Sequence, residues 1–427
     1  METKLELISK HSRENKQFKF TTLAYLINET TLKDSFNNLD KNKAPGIDGV
    51  THDDYLSDVD YNIKKLVNNM KSGKYYPKPV KRIYIDKANG KKRPLGLPSL
   101  EDKIVQGVMS DILNAIYEPI FLDCSYGFRP NRNCHMALKK LDSSMYTKPV
   151  GYVIDADIEG YFDNINQSKL QDMLKYNIND KNFNKLLIRF LKSGILEQGK
   201  FYKNEEGVPQ GGVISPILAN VYLHFVLDLW FEKAVKPKMK GYVELIRYAD
   251  DFLILAENKT EVYTILKALK ERMLKFDLTL SNEKTKVLEF DRENHERNEG
   301  PRTFDFLGFT HYGTKTKQGK FRIGRKIDSK RMSRKLKEMK EWLKSVKNLV
   351  ELKEIWKSLN RRINGYFQYY AVSDNYRSIQ NFIQLLTKMI YRWINRRSQK
   401  RSMTWKEFNI YLKKYPLPKP RIIHKFY

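Results

Sequence analysis

Two adjacent aspartates, Asp250 and Asp251, stand between the apolar runs Leu245-Ile-Arg-Tyr248 and Phe252-Leu-Ile-Leu255. Runs of this length read as short strands, which puts the pair in the turn that joins them. Like charges at the lip of a core resist ionisation unless a cation neutralises them. Magnesium suits that role, because it takes hard oxygen ligands and keeps waters for substrate phosphates. Alone, the segment reads equally well as an acidic solvent turn. A second source of carboxylates weighs against that reading. Tyr152-Val-Ile-Asp-Ala-Asp157 also ends an apolar run in acids, just ahead of the paired aromatics Tyr161 and Phe162. A two-metal centre needs carboxylates from separate strands that converge on ions roughly 3.5–4 Å apart, where they clamp an in-line displacement. Asp157 with Asp250 and Asp251 meets that need. Asp155 and Asp163 compete for the first ligand position, but read more simply as solvent-facing or capping acids.

The elements that must position these acids can be followed along the chain. Residues 1–75 read as helical and loop-punctuated, with a turn cluster at Asn42-Lys-Ala-Pro-Gly-Ile-Asp-Gly49. Val80–Ile85 alternates like a strand, and Asp86-Lys-Ala-Asn-Gly-Lys91 supplies a hairpin turn. Residues 101–120 return to a helical period, with Ile104, Val108, Ile112 and Ile116 on one face. Ser215 and Pro216 are expected as N-cap and first residue of a helix carrying Ile217, Leu218, Val221 and Phe225. Thr303–Phe309 reads as one short strand. From about residue 320 the pattern is helical and strongly basic, with twelve Lys and Arg between 320 and 347.

The whole chain shares that basic bias. Among 427 residues, 79 Lys and Arg face 50 Asp and Glu, a net charge of +29. Such a field draws polyanions, and nucleic acid is the usual one because it releases counterions on binding. A hydrophobic content of 41% fits a folded protein of two or three packed parts. The first residues are charged and lack the apolar core of a secretory signal. The longest apolar runs are far too short to span a bilayer, so no membrane partner is expected. Cys124 and Cys134 allow no disulfide framework and no Cys-rich zinc module; a cytoplasmic location is expected.

With these residues in view, the sequence resembles the reverse transcriptases encoded by group II introns, the intron maturases, in particular bacterial members without a C-terminal endonuclease. Arg247-Tyr-Ala-Asp-Asp is similar to their palm motif, and Asp157–Phe162 to their first metal-binding motif. Asn42–Val50 is similar to their N-terminal extension. Arg93-Pro-Leu-Gly-Leu-Pro98, Glu101-Asp-Lys-Ile-Val-Gln106 and Ser125-Tyr-Gly-Phe-Arg-Pro130 resemble their fingers. Gly207–Asn220 resembles their template and nucleotide segment, and Phe306-Leu-Gly-Phe309 their primer grip. Gly365-Tyr-Phe-Gln-Tyr-Tyr370 and Asn395–Arg401 resemble the thumb, or maturase, region. These segments occur in the family's order along most of the chain.

The resemblance implies an α+β right-hand polymerase, with fingers, a palm built on a small antiparallel sheet backed by helices, and a helical thumb. The expected parts are an N-terminal extension and the start of the fingers over 1–75, fingers and palm over 76–315, and a helical basic thumb, or maturase domain, over 316–427. It implies two Mg2+ ions, replaceable by Mn2+, held by Asp157, Asp250, Asp251 and the Ile158 carbonyl. Lys87 and Arg93 would grip the incoming triphosphate, although Asp86 stands before Lys87 where the family usually has proline. Phe162 would be the steric gate against a 2′-hydroxyl, and Gln210 would contact the nucleotide. Lys284 would protonate the pyrophosphate leaving group, with Lys286 as its competitor. Phe306, Leu307 and Gly308 would form the primer grip. Arg129, Arg325, Lys326, Arg331, Arg334, Tyr366, Tyr369, Arg396 and Arg397 would contact nucleic acid.

The expected function is RNA-directed DNA synthesis on an intron RNA, from a DNA or RNA primer and dNTPs, coupled to assistance in splicing. Two alternatives stand beside it. One is a host-domesticated reverse transcriptase, for example in antiphage defence. The other is an RNA-binding splicing factor with idle polymerase residues.

Overall fold

A computed structural model describes residues 2–86, 92–290, 303–316, 318–397 and 402–426. The chain divides into two compact units. The first comprises 1–137 and 149–287, and the second 138–148 and 288–427. The division after residue 287 falls earlier than the expected one after 315, because a three-stranded sheet joins the C-terminal helices in one unit. Residues 1–75 belong to the first unit. Leu23, Leu32, Leu66 and Val67 are buried in the same core as the rest of the first unit.

The first unit contains β1 (Val80–Asp86), β2 (Lys92–Leu97), β3 (Tyr152–Asp157), β4 (Ile195–Glu197), β5 (Lys200–Tyr202), β6 (Val243–Tyr248) and β7 (Asp251–Ala256). A short β8 (Lys286–Glu289) straddles the division. One sheet has the order β2-β1-β4-β5, and the other β6-β7-β3-β8. The second sheet carries the acids. β7 pairs antiparallel with both β3 and β6, and lies almost wholly buried. A strand covered on both faces needs a continuous apolar run, which Phe252–Ala256 supplies.

The helix Leu100–Tyr117 forms much of the floor, with Ile104, Val108, Ile112 and Ile116 all fully buried. Ser99 caps it by accepting from the Asp102 backbone N–H. Each such aliphatic side chain contributes ~1.5–3 kcal/mol when removed from water. The helix Ser215–Leu223 starts one residue earlier than expected. Ile214 occupies the N-cap, and Ser215 instead donates its hydroxyl to the Pro209 carbonyl at 2.7 Å.

The second unit holds β9 (Thr303–Phe306), β10 (Phe309–Lys315) and β11 (Phe321–Ile327), in the order β11-β10-β9. Two expectations change here. Thr303–Phe309 is a hairpin rather than one strand: Leu307 and Gly308 take φ of 51° and 84° and reverse the chain. Residues 321–327 are a strand, so the helical region begins only at Ser329–Ser345. The helices Leu352–Tyr370, Tyr376–Asn395 and Trp405–Lys414 complete a core around Leu359, Phe382 and Phe408. Among the described residues, no helix is long and apolar enough to cross a membrane.

Candidate active site

The strand register brings the three acids together. Asp157 ends β3 directly opposite Asp251, the first residue of β7. Tyr248 pairs with Asp251 across the hairpin, leaving Ala249 and Asp250 as a two-residue turn. Ala249 sits at φ 58°, a conformation that such turns normally give to glycine. A buried arginine holds it there. Arg247 is 0% exposed, and its Nε and Nη2 donate to the two oxygens of Asp228 at 2.7 and 2.5 Å. Its Nη1 donates to Asn220 Oδ1 and to the Ala249 carbonyl, both at 3.0 Å. Burial alone would lower the Arg247 pKa, but Asp228 outweighs it and the net shift is upward.

The site is electrostatically loaded. Burial pushes the Asp250 carboxyl above its ordinary range, and the nearby Asp157 charge adds to that. Lys284 Nζ lies 2.8 Å from Asp157 Oδ2. Ser281 N–H donates to the Asp157 carbonyl at 2.8 Å and Glu159 N–H to the Thr279 carbonyl at 2.9 Å, which fixes this strand end. Ile158 is buried, so only its carbonyl could reach an ion. Among the described residues no three acidic, His or Cys side chains already close around one point. An open set of oxygen donors still suits magnesium, which leaves positions for water and phosphate. Asp155 faces the same side of β3 two residues earlier and is half-buried, whereas Asp163 is exposed.

A second cluster faces the fingers sheet. Arg93 Nε donates to Gln210 Oε1 at 3.2 Å, and Gly96 N–H donates to the Gln210 carbonyl at 2.6 Å. The Arg93 charge offsets part of the upward push that burial gives Asp250. Gln210, Pro94, Gly96 and Asp163 line a cleft of about 200 Å3. Phe162 is 8% exposed, packed edge-on against Tyr161. Its carbonyl accepts from Val208 N–H at 2.8 Å, so its backbone supports the Gln210 loop. Lys87 lies outside the described residues.

The expected nucleic-acid contacts divide sharply. Lys326, Arg331, Arg334 and Arg396 are exposed on the second unit. Arg331, Arg334, Arg362 and Tyr369 line a cleft of about 360 Å3 there. Arg129 and Arg325 do not belong with them. Arg129 clamps Glu118 and the Leu122 and Ser125 carbonyls, and Arg325 is buried against Asp142. Tyr366 is 6% exposed and stacks on Phe382, so it also serves the core. Arg397 is turned inward to the Lys347 and Val350 carbonyls. In the primer-grip segment, Phe306 is buried, the Leu307 carbonyl accepts from the Tyr369 hydroxyl at 2.9 Å, and Gly308 lies beside Arg331.

Sequence reading missed Asp228, Asn220 and the anchoring side of Arg247. The available signal was an arginine in an otherwise apolar strand, since a cation there must find a buried partner.

An α+β chain whose carboxylates meet at the joined ends of an antiparallel sheet defines the class of polymerase palms. A family model described as reverse transcriptase (RNA-dependent DNA polymerase) matches residues 85–311. The chain is 36% identical over 300 residues to the group II intron-encoded protein LtrA of Lactococcus lactis subsp. cremoris. That match covers 67% of this chain and 50% of LtrA. It is 34% identical over 312 residues to protein YkfC of Escherichia coli K12, covering 66% of this chain and 79% of YkfC. An uncharacterised 91 kDa protein in the cob intron of Schizosaccharomyces pombe is 38% identical over 203 residues, 47% of this chain and 24% of that one. The chain belongs to the reverse transcriptase family. It spans half the length of LtrA.

Proposed function

We propose that this chain is an RNA-directed DNA polymerase that copies a group II intron RNA into DNA and assists its splicing. The observation that carries the reading is the meeting of Asp157 and Asp251 across β3 and β7, with Asp250 in the adjoining turn. Asp157, Asp250 and Asp251 would hold two divalent ions, magnesium or manganese. When bound, these supply a more acidic primer hydroxyl and charge neutralisation on the departing pyrophosphate.

The other steps fall to the chain's own groups. Arg93, with Lys87, grips the triphosphate through charge-assisted bonds. The Arg93–Gln210 contact ties that grip to the nucleotide loop. The Phe162 ring bars a 2′-hydroxyl and so selects dNTPs. Lys284 donates a proton to the leaving group, and its hold on Asp157 keeps it at the site beforehand. Phe306–Gly308 positions the primer, while Lys326, Arg331, Arg334 and Arg396 follow template phosphates.

Intron RNA is proposed as the template because LtrA is itself named a group II intron-encoded protein. The enzyme would act in the cytoplasm, where its two cysteines, Cys124 and Cys134, stay reduced. The deciding experiment is primer extension on an RNA template. Asp250→Ala with Asp251→Ala should abolish synthesis while RNA binding persists; retained synthesis in that double variant refutes the assignment.

A further inference from the structure

Phe128 holds an aromatic ring in the open on a backbone that disfavours it. Its φ is 53°, and 51% of its surface is exposed. Bulky residues stay in the left-handed region only where the surroundings over-determine them. Here both neighbours do so. On one side, a Cβ added to Gly127 would lie 2.4 Å from the Ala249 nitrogen, so this glycine is pressed against the Asp250 turn. The Gly127 carbonyl also accepts from Asn220 Nδ2 at 2.8 Å. On the other side, Arg129 bonds both oxygens of Glu118 at 2.9 and 2.8 Å, and the Leu122 and Ser125 carbonyls at 2.7 and 2.8 Å. The backbone that carries the ring is therefore fixed against the Asp250 turn by contacts the ring does not itself make. An exposed ring adds little to the core, so the arrangement calls for an external partner.

The strand order says which flank of the acids it occupies. Arg247 N–H donates to the Cys124 carbonyl at 2.7 Å, and Tyr126 N–H donates to the Arg247 carbonyl at 2.8 Å. Residues 124–126 thus run along the outer edge of β6, whereas Asp157 lies beyond β7 on the other side. Phe162 follows Asp157 on the β3 side, and its carbonyl accepts from Val208 N–H in the loop whose Gln210 meets Arg93. Incoming nucleotide is assigned to that side, and Phe128 to the opposite one.

We propose that Phe128 supports the end of the primer–template duplex, its ring lying against the sugars and bases of the most recently formed pair. This rests on the polymerase reading above. Aromatic faces suit the task because every base and sugar offers them an apolar surface, so contact is independent of sequence. Because the backbone beneath the ring is already held, only side-chain freedom is lost when the duplex arrives.

The test uses the full chain with an RNA template and an annealed DNA primer. Phe128→Gly removes the ring and suits the backbone, Phe128→Ala removes the ring alone, and Phe128→Trp keeps an aromatic face. The Gly and Ala variants should bind the duplex roughly tenfold more weakly and release it after fewer additions. Their dNTP KM and melting temperature should match wild type, and the Trp variant should recover duplex affinity. Unchanged duplex affinity overturns the proposal. So does a defect confined to the dNTP KM, or one that accompanies a lowered melting temperature in both ring-less variants. Failure of the wild-type chain to extend any primer instead overturns the polymerase reading; the binding measurement then still decides the role of Phe128.

Discussion

Arg247 and Asp228 meet side-on in the interior, Nε on Oδ1 at 2.7 Å and Nη2 on Oδ2 at 2.5 Å, with both side chains at 0% exposure. The same guanidinium reaches the Ala249 carbonyl, so one ion pair fixes both the core and the Ala249-Asp250 turn. Removing one partner leaves a buried charge without compensation. Asp228→Ala should therefore cost about 3–5 kcal/mol of stability. Arg247→Met combined with Asp228→Leu should cost much less than the two single changes added together. Denaturant unfolding of the four forms measures this. Simple additivity would mean that the pair is not the anchor described.

Burial holds the ring of His224 neutral, its pKa pushed down to about 4 from the ordinary 6.5. Asp228, which draws it upward, and Arg247 and Arg129, which push it down, all face it. Its edge packs against Phe121 and Phe225. Between pH 6.5 and 4 the unfolded chain takes up a proton that the folded chain refuses, so stability must fall as the pH falls through that window. The loss attributable to this one residue approaches ~3 kcal/mol at its lower end. His311, pushed down to about 3 by burial, acts the same way in the other unit. Denaturation at pH 7 and pH 5 should show a steep dependence in the wild type and a shallower one in His224→Leu. An identical slope in the two would exclude His224 as a contributor.

What the sequence revealed, and what it concealed, follows from where each signal resides. Asp157, Asp250 and Asp251 were legible because acids directly after apolar strands are a local pattern. Their meeting follows from strand pairing that the same pattern implies. Arg129 and Arg325 were misread because a cation in sequence suggests solvent. Only tertiary packing discloses Glu118 and Asp142 as their partners. The Leu307 turn escaped for a similar reason: a leucine at φ 51° carries no turn signature. The strand at 321–327 was hidden by basic residues, since Arg322 and Lys326 are compatible with an outward strand face as well as with a helix.

Lys284 contacts Asp157 while keeping 64% of its side chain exposed, so the pair contributes little to stability. Its loss should be visible in catalysis instead. Lys284→Ala should slow nucleotide addition by roughly 100-fold, the range of a positioned general acid, with an unchanged melting temperature. Lys286→Ala, at the exposed start of β8, should behave like wild type. Single-turnover incorporation rates compare them. If the two variants slow addition equally, the segment acts through bulk charge rather than through a proton donor.

Gly211 joins the Gln210 loop to the strand that carries Arg93 by close approach. Its φ is 105°, and an added Cβ would lie 2.3 Å from the Gly96 carbonyl oxygen. That oxygen belongs to the strand carrying Arg93, and Gly96 N–H already bonds the Gln210 carbonyl at 2.6 Å. A methyl group at 211 therefore has to push apart the two segments that hold Arg93 and Gln210 together. Gly211→Ala should raise the KM for dNTP about tenfold or more, because displacing positioning groups by even an ångström is costly. Backbone strain alone would not produce that effect, and Gly199 separates the two causes. It has φ of 80° with nothing within 4 Å of an added Cβ, so Gly199→Ala is strained without a clash. Gly199→Ala should lose a little stability and keep its dNTP KM. Equal kinetic defects in both variants would mean that the Gly96 contact does not couple Arg93 to the nucleotide loop.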